Sequence, residues 1–374
     1  MAHVERRAQG RWRARYRDPS RRERSRTFPR RSDAERWLAA VESSVARGEW
    51  LDPQRGATTV EQWVTTWVAT RSDLRPTTRA RVQSIIDTHI IPRFGHRRIT
   101  TVSNSEVRLW VADLSAAGSS PATVRKCVAV LRQAYDAAVA DRRVSANPCL
   151  RVPLPAESAA EQMFLSPDQI DDLADAMPDR YRALVTVACY TGLRWGELTG
   201  LRRGRVDTFR SRIHVVETAV DVGGQVSIGE PKTKRSRRTV PVPRTIMRAI
   251  EEHMAAHTDA DAADALVFAN PDGSPLRRSS FRHVWRRATR AAGLEAVRFH
   301  DCRHSFVSMM VAAGAGLKEV STWAGHSSAS FTADRYQHVL DGRDDEVADR
   351  LDALLTATAA RPRSTVRTIG QAGS

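Results

Sequence analysis

Thr191-Gly-Leu-Arg-Trp-Gly-Glu-Leu198 is the stretch on which the reading of this chain turns. The residues before it, Tyr181 to Tyr190, are strongly apolar and predict a helix. Gly192 ends that helix, because glycine accepts the left-handed backbone that closes a helical C-terminus. Arg194 then stands near the start of the next helix, with Glu197 one turn on. A second polar stretch, His300-Asp-Cys-Arg-His304, puts His300, Arg303 and His304 on one helical face. Arginine beside imidazole suits a phosphate: the guanidinium offers a planar fork of donors, and histidine moves a proton near neutral pH. His300, Cys302 and His304 also invite a metal reading. Residues two apart do not share a helical face, however, and no further Cys or acidic pair completes a site, so no metal is expected.

Working outward, Ser166-Pro-Asp-Gln169 carries a helix-start signature: Ser at the N-cap, Pro at the first helical position, Gln at the third. Arg212 to Val220 and Gln225 to Val242 read as strands, since β-branched residues recur on either side of Gly223-Gly224. Helical patterns return from Thr245 and run, with breaks, to Leu355. Upstream, Thr59 to about Asn147 is a run of helical patterns. Trp63, Val64 and Trp67 share a face, Arg79 to Ile91 carries Val82, Ile85, Ile86 and Ile90, and Thr123 to Ala140 continues the style. At the start, Gly10 to Arg17 alternates like a strand, Asp18-Pro-Ser20 turns, and Arg22 to Phe28 is a second strand. Ser32 to Arg47 is helical, with Trp37, Val41 and Val45 on one side. The expected fold class is mostly α with small antiparallel β-sheets (α+β). The expected division is a basic sheet-plus-helix module over 1–56, a helical domain over 57–155, a third domain over 160–358 and a disordered polar tail over 359–374.

Charge narrows the partner. Of 374 residues, 59 are Lys or Arg against 43 Asp or Glu, a net charge of +16. Residues 1–31 alone hold twelve arginines and three acids. Such an excess favours a polyanion, although arginine-rich codon usage would give part of the same bias. No apolar run approaches the ~20 residues that span a bilayer, and no apolar signal core follows the basic start, so a cytoplasmic protein with no membrane partner is expected. Cys127, Cys149, Cys189 and Cys302 are too scattered for a CxxC pair and read as reduced, buried thiols. Arg11, Arg13, Arg15 and Arg17 interleave with Trp12 and Tyr16, which favours a DNA-binding module over a solvated basic tail. Lys126 and Arg132 on the helical domain are further DNA-binding candidates.

Farther on come Trp323-Ala-Gly-His326 and Thr332-Ala-Asp-Arg-Tyr-Gln-His338. The ordered set of Thr-Gly-Leu-Arg-x-Gly-Glu-Leu, His-x-x-Arg-His, Gly-His and a tyrosine ten residues later resembles the tyrosine recombinase (phage integrase) family. Lys232-Thr-Lys234, followed by Arg237-Arg-Thr-Val-Pro241, looks like that family's hairpin lysine motif. The match covers most of Met163 to Val339. The helical region, with Arg75-Pro-Thr-Thr78, His89-Ile-Ile-Pro92 and Phe94-Gly95, is similar to the family's core-binding domain. The basic start looks like an arm-binding domain.

The resemblance implies a chemistry. Tyr336 attacks a DNA phosphodiester to give a 3′-phosphotyrosyl link and a free 5′-hydroxyl. Arg194 and Arg303 clamp the phosphoryl oxygens with His326 as a further donor, His300 is the acid/base partner, and Lys232, or Lys234 in its place, protonates the leaving oxygen. Glu197 either orients Arg194 or His300 or forms a structural ion pair. The resemblance further implies no cofactor, a double-stranded DNA partner at core and arm sites, a tetramer on DNA, and a host bending protein or directionality factor. It leaves open a dimer-resolving recombinase, a type IB-like topoisomerase and, from another class, a non-catalytic DNA-binding regulator.

Overall fold

The computed structural model describes residues 2–7, 10–19, 21–47, 50, 52, 55–157, 163–231, 236–258, 262–325, 348–349 and 352–353. The chain divides into two compact units, residues 1–159 and 160–374.

The first unit opens with a three-stranded antiparallel sheet of β1 (His3–Arg6), β2 (Trp12–Arg17) and β3 (Glu23–Phe28), in that order, followed by α1 (Arg31–Ala46). Alternation along β2 turns Ala14 and Tyr16 inward, where they pack with Ala34 and Leu38 of α1. Tyr16 meets Trp37 edge-on at 5.6 Å and accepts a hydrogen bond from Trp50 Nε1 at 3.1 Å. β1 was not expected from sequence. It is four residues long with a single apolar residue, Val4, and its pairing with β2 makes it a strand.

Helices follow: α2 (Val60–Thr70), α3 (Pro76–Ile85), α4 (Ile91–Phe94), α5 (Asn104–Ala116) and α6 (Pro121–Ala140). Ser and Thr residues start three of them. Thr59 and Ser103 form reciprocal capping boxes with Gln62 and Glu106, and Ser120 accepts from the Thr123 amide. Between α3 and α4 the helix widens into a π-turn over Ile86–Ile90, with the Ile91 amide donating to the Ile86 carbonyl. Pro92 accounts for it: proline has no N–H to give, and its ring would clash with the carbonyl four residues back. Trp63, Trp67, Ile86, Ile90, Phe94, Trp110, Leu131 and Tyr135 fill the core, and Trp63 Nε1 ties α2 to α6 through the Ala134 carbonyl at 2.8 Å.

The second unit begins with α7 (Pro167–Asp175), whose expected Ser166–Gln169 capping box is present, then α8 (Asp179–Thr191) and α9 (Trp195–Thr199). The strands are β4 (Val206–Asp207), β5 (Arg212–Val215), β6 (Thr218–Val222), β7 (Gln225–Gly229) and β8 (Arg238–Pro241). They form two small antiparallel sheets, β4-β5-β8 and the hairpin β6-β7. The two long strands read from sequence are thus each broken, one between β5 and β6 and the other between β7 and β8. Helices α10 (Arg244–His257), α11 (Arg278–Ala291), α12 (Asp301–Ala312) and α13 (Leu317–Ala324) complete the unit. From Ala183 onward α8 is mostly apolar and buried: Leu184, Val185, Val187 and Cys189 have no exposure. Among the described residues no helix is long and apolar enough to cross a membrane.

Candidate active site

The site begins at the turn between α8 and α9. Gly192 caps α8 with φ of 62°, in the left-handed region. A Cβ there would lie 2.3 Å from the Phe306 ring of α12, so only glycine allows the turn and that helix to pack this closely. From the same helix, Arg303 Nη1 donates to the Gly192 carbonyl at 2.7 Å. Two residues on, Arg194 is the N-cap of α9; its amide donates to Glu197 Oε2 and its Nη1 to Glu197 Oε1, both at 2.9 Å. The first two sequence motifs are therefore joined through Gly192.

Glu197 is nearly inaccessible, and a second arginine reaches it. Arg238, at the start of β8, donates from Nη1 to Oε1 at 3.0 Å and from Nη2 to Oε2 at 2.8 Å. Burial alone would raise the Glu197 carboxyl; the hydrogen bonds and charge of Arg238, joined by Arg194, outweigh it and hold the group down at about 2. The two arginines also grip the end of α13. Arg238 Nε donates to the Trp323 carbonyl at 2.6 Å, and Arg194 Nη2 donates to the Gly325 carbonyl. Gly325 closes α13 with φ of 66°, and a Cβ on it would sit 3.1 Å from Arg238 Nη1 and 3.3 Å from Arg194 Nη1. Glycine is needed there for both backbone and space.

His300 is the N-cap of α12, a refinement of its expected place on the helix. Its ring meets that of His304 edge-on at 5.1 Å. Its outer edge is open to solvent. The protein around the ring, and then the charge of Arg303, still pull its pKa below the usual value; Asp301 opposes the shift, and Arg194 and Arg278 add to it. The neutral imidazole, the form that can accept a proton, is thereby favoured. Asp301, wholly buried, accepts from the Arg298 amide at 2.8 Å and from Arg298 Nη2 at 2.9 Å, which fixes the entry to α12. An aromatic wall braces the neighbours of both key residues: Trp195, next to Arg194, packs edge-on to Phe299, next to His300, at 5.2 Å. Cys302 is a free thiol buried in the core beside the free thiol of Cys189, and Ser305 Oγ accepts from the Leu165 amide at 2.9 Å.

Arg194, Glu197, His300 and Arg303 are thus brought together. Lys232, Lys234, His326 and Tyr336 lie outside the described residues. Among the described residues no group of three His, Cys, Asp or Glu comes together to hold a metal ion.

The candidate DNA-binding residues lie elsewhere. Arg11, just before β2, and Arg17, at its end, are exposed, whereas Arg15 pairs with Glu5 at 3.1 Å and with Glu23 at 3.0 Å, and Arg13 approaches Glu5 at 3.8 Å. Lys126 and Arg132 are exposed on α6. Sequence reasoning missed two features. One is Arg238. The other is the outer face of α11, where Arg278, Arg282, Arg286, Arg287 and Arg290 all stand exposed. The spacing of Phe281, Trp285 and Ala288 on the inner face would have revealed that row.

With this geometry in hand, comparison with known proteins is informative. Residues 163–343 match the family described as Phage integrase family, residues 3–47 the Phage integrase N-terminal domain, and residues 59–115 the Phage integrase N-terminal SAM-like domain. The chain is 31% identical over 357 residues to the putative prophage phiRv2 integrase of Mycobacterium tuberculosis, covering 92% of this chain and 93% of that one. Among solved structures, the Tn1549 transposon integrase in complex with a circular intermediate DNA superposes with a TM-score of 0.66 at 20% identity, over 79% of this chain and 99% of that one. A lambda integrase tetramer bound to a Holliday junction gives 0.55 at 16% identity, over 87% and 96%.

Proposed function

The chain belongs to the phage integrase family of tyrosine site-specific recombinases, and from this premise we infer that it cuts and rejoins DNA at Tyr336 to integrate and excise a phage or other mobile element. The observation that carries the assignment of the site is the junction at Gly192, where Arg303 docks two residues from Arg194, with both arginines close enough to His300 to act on its charge. Arg194 presents an open guanidinium edge and His300 a proton acceptor to one phosphate, and Arg303, itself buried, adds its positive charge.

The chemistry follows from these groups. A phenol with a pKa of ~10 is a weak nucleophile until it loses its proton. His300 takes that proton as the Tyr336 oxygen attacks phosphorus. The bond from phosphorus to O5′ breaks, and Lys232, or Lys234, delivers a proton to the leaving oxygen. Arg194 and Arg303, with His326, hold the charge that gathers on the non-bridging oxygens, where fixed donors act without reorganising. Attack by a 5′-hydroxyl on the phosphotyrosine reverses the steps and seals the strand, so the energy of the broken bond is kept.

The partners follow from charge. Residues 57–155 and 160–358 are assigned to double-stranded core DNA, with the exposed α11 arginines joining Lys126 and Arg132 as phosphate contacts. Residues 1–56 are assigned to arm sites. Recombination between two duplexes calls for four protomers, in line with the lambda integrase tetramer on a Holliday junction. The work is done inside the cell, on DNA.

Tyr336→Phe tests the reading. It is expected to bind a nicked suicide duplex as the wild type does and to form no detergent-resistant protein–DNA adduct. An adduct from Tyr336→Phe would move the nucleophile to another residue.

A further inference from the structure

Arg238 lies within the basic run 234–238, yet it does not behave as a surface charge. Its side chain is 3% exposed. Nε is committed to the Trp323 carbonyl, Nη1 to Glu197 Oε1 and to the Ser236 carbonyl at 3.3 Å, and Nη2 to Glu197 Oε2. A guanidinium has five N–H donors, and these contacts spend four of them inside the protein. Arg238 is therefore no phosphate ligand. Arg194, by contrast, is 40% exposed along its side chain and gives one donor to Glu197 and one to Gly325, so an edge of its guanidinium is left for solvent or substrate.

The charges decide what Arg238 does. Arg194 and Glu197 alone sum to zero, and a carboxylate buried beside a single arginine would draw that arginine into a closed pair. Adding Arg238 leaves the triad with one net positive charge, carried by the only accessible member. We propose that Arg238 is a positioning residue for strand cleavage: by saturating the Glu197 carboxylate and gripping the end of α13, it leaves Arg194 its charge and its open edge for the scissile phosphate. This rests on the recombinase reading of Arg194. The same two guanidiniums lie against Gly325, the last residue of the α13 turn.

A purely structural ion pair would look alike in the fold but not in a double-mutant cycle. The probe is a nicked suicide duplex whose sequence is obtained by covalent capture from a randomised duplex pool with wild-type chain. Cleavage rate, duplex affinity and melting temperature are measured for wild type, R238M, E197Q and R238M/E197Q. R238M is expected to lose about 100-fold in cleavage, the scale of one electrostatic donor, with duplex affinity within about threefold. Removing the now uncompensated carboxylate in R238M/E197Q is expected to restore at least about tenfold, because Arg194 regains its charge. Should R238M alone fail to fold, the double variant is compared with wild type directly, and cleavage within about tenfold supports the proposal. R238M cleaving within about threefold of wild type overturns it. So does a folded double variant that cleaves no faster than R238M, or about 100-fold slower than wild type where R238M does not fold, and so does a chain that folds with neither set of changes. Failure of the wild type to capture any duplex would instead sink the recombinase reading itself.

Discussion

Arg303 and Gly192 are 111 residues apart in sequence, and Arg303 Nη1 donates to the Gly192 carbonyl at 2.7 Å. The glycine that ends α8 is thus also the docking point of α12, with the Phe306 ring lying on its Cα. Gly192→Ala would force a side chain into the left-handed region and into that ring. The expected loss is about 2–5 kcal/mol, from about 1–2 for the backbone and about 1–3 for overpacking. Urea unfolding measures it; an unchanged midpoint would mean that α12 is not seated on this turn.

Glu197 makes the fold acid-sensitive over a defined range. Its carboxyl sits at about 2 against an ordinary 4.5, so the unfolded chain takes up the proton more readily than the folded one. The stabilisation is complete above pH 4.5 and is lost as pH falls toward 2, amounting to about 3 kcal/mol in this buried group. Glu106 is held near 2 as well, by Ser103 and Arg97, and titrates in the same range in every variant. The measurable quantity is therefore the difference between wild type and E197Q, whose stability curves should converge below pH 3. Parallel curves down to pH 2 would mean that Glu197 titrates normally.

Cleavage should follow the ionisation of His300. Arg303, Arg194 and Arg278 act on the ring from one side of the balance and Asp301 from the other, with the His304 ring in edge contact, and the net shift is downward. Adduct formation in single turnover is expected to rise with pH along a limb centred below the usual 6.5. A limb centred above 6.5 would exclude His300 as the proton acceptor.

The exposed row on α11 should register in salt dependence. Each phosphate contact contributes a slope of roughly 0.9 in log affinity against log salt. R282Q/R286Q is expected to reduce the slope for core duplex by about 2 while leaving the melting temperature unchanged, since both side chains point to solvent. An identical slope would remove α11 from the interface.

Much of this arrangement was legible in the chain because local chemistry leaves local marks. Ser166 and Gln169, Gly192, and the alternation of Trp12, Ala14 and Tyr16 all act within a few residues, and each does what its spacing implied. Motif order also brought Arg194, His300 and Arg303 into one list, although only the fold joins them. Arg238 escaped because a basic run is usually a solvated one. The mark was nonetheless there: residues two apart on a strand share a face, and Val240 is buried, so Arg238 had to be buried with it. β1 and the breaks between strands had no such mark, because pairing partners far along the chain decide them.

The π-turn at Ile86–Ile90 carries a consequence for the whole helical domain. It threads one surplus residue through the helix without lengthening it by a turn, and one residue of helix corresponds to about 100° of rotation. Phe94, stacked edge-on to Trp110 at 5.3 Å, sits at the correct azimuth only because of that surplus. A single deletion or insertion in the segment would spin every later side chain out of phase with its neighbours, a larger disturbance than a change of one apolar side chain for another of similar volume. In a lineage of related chains, its length should be far more constant than its letters.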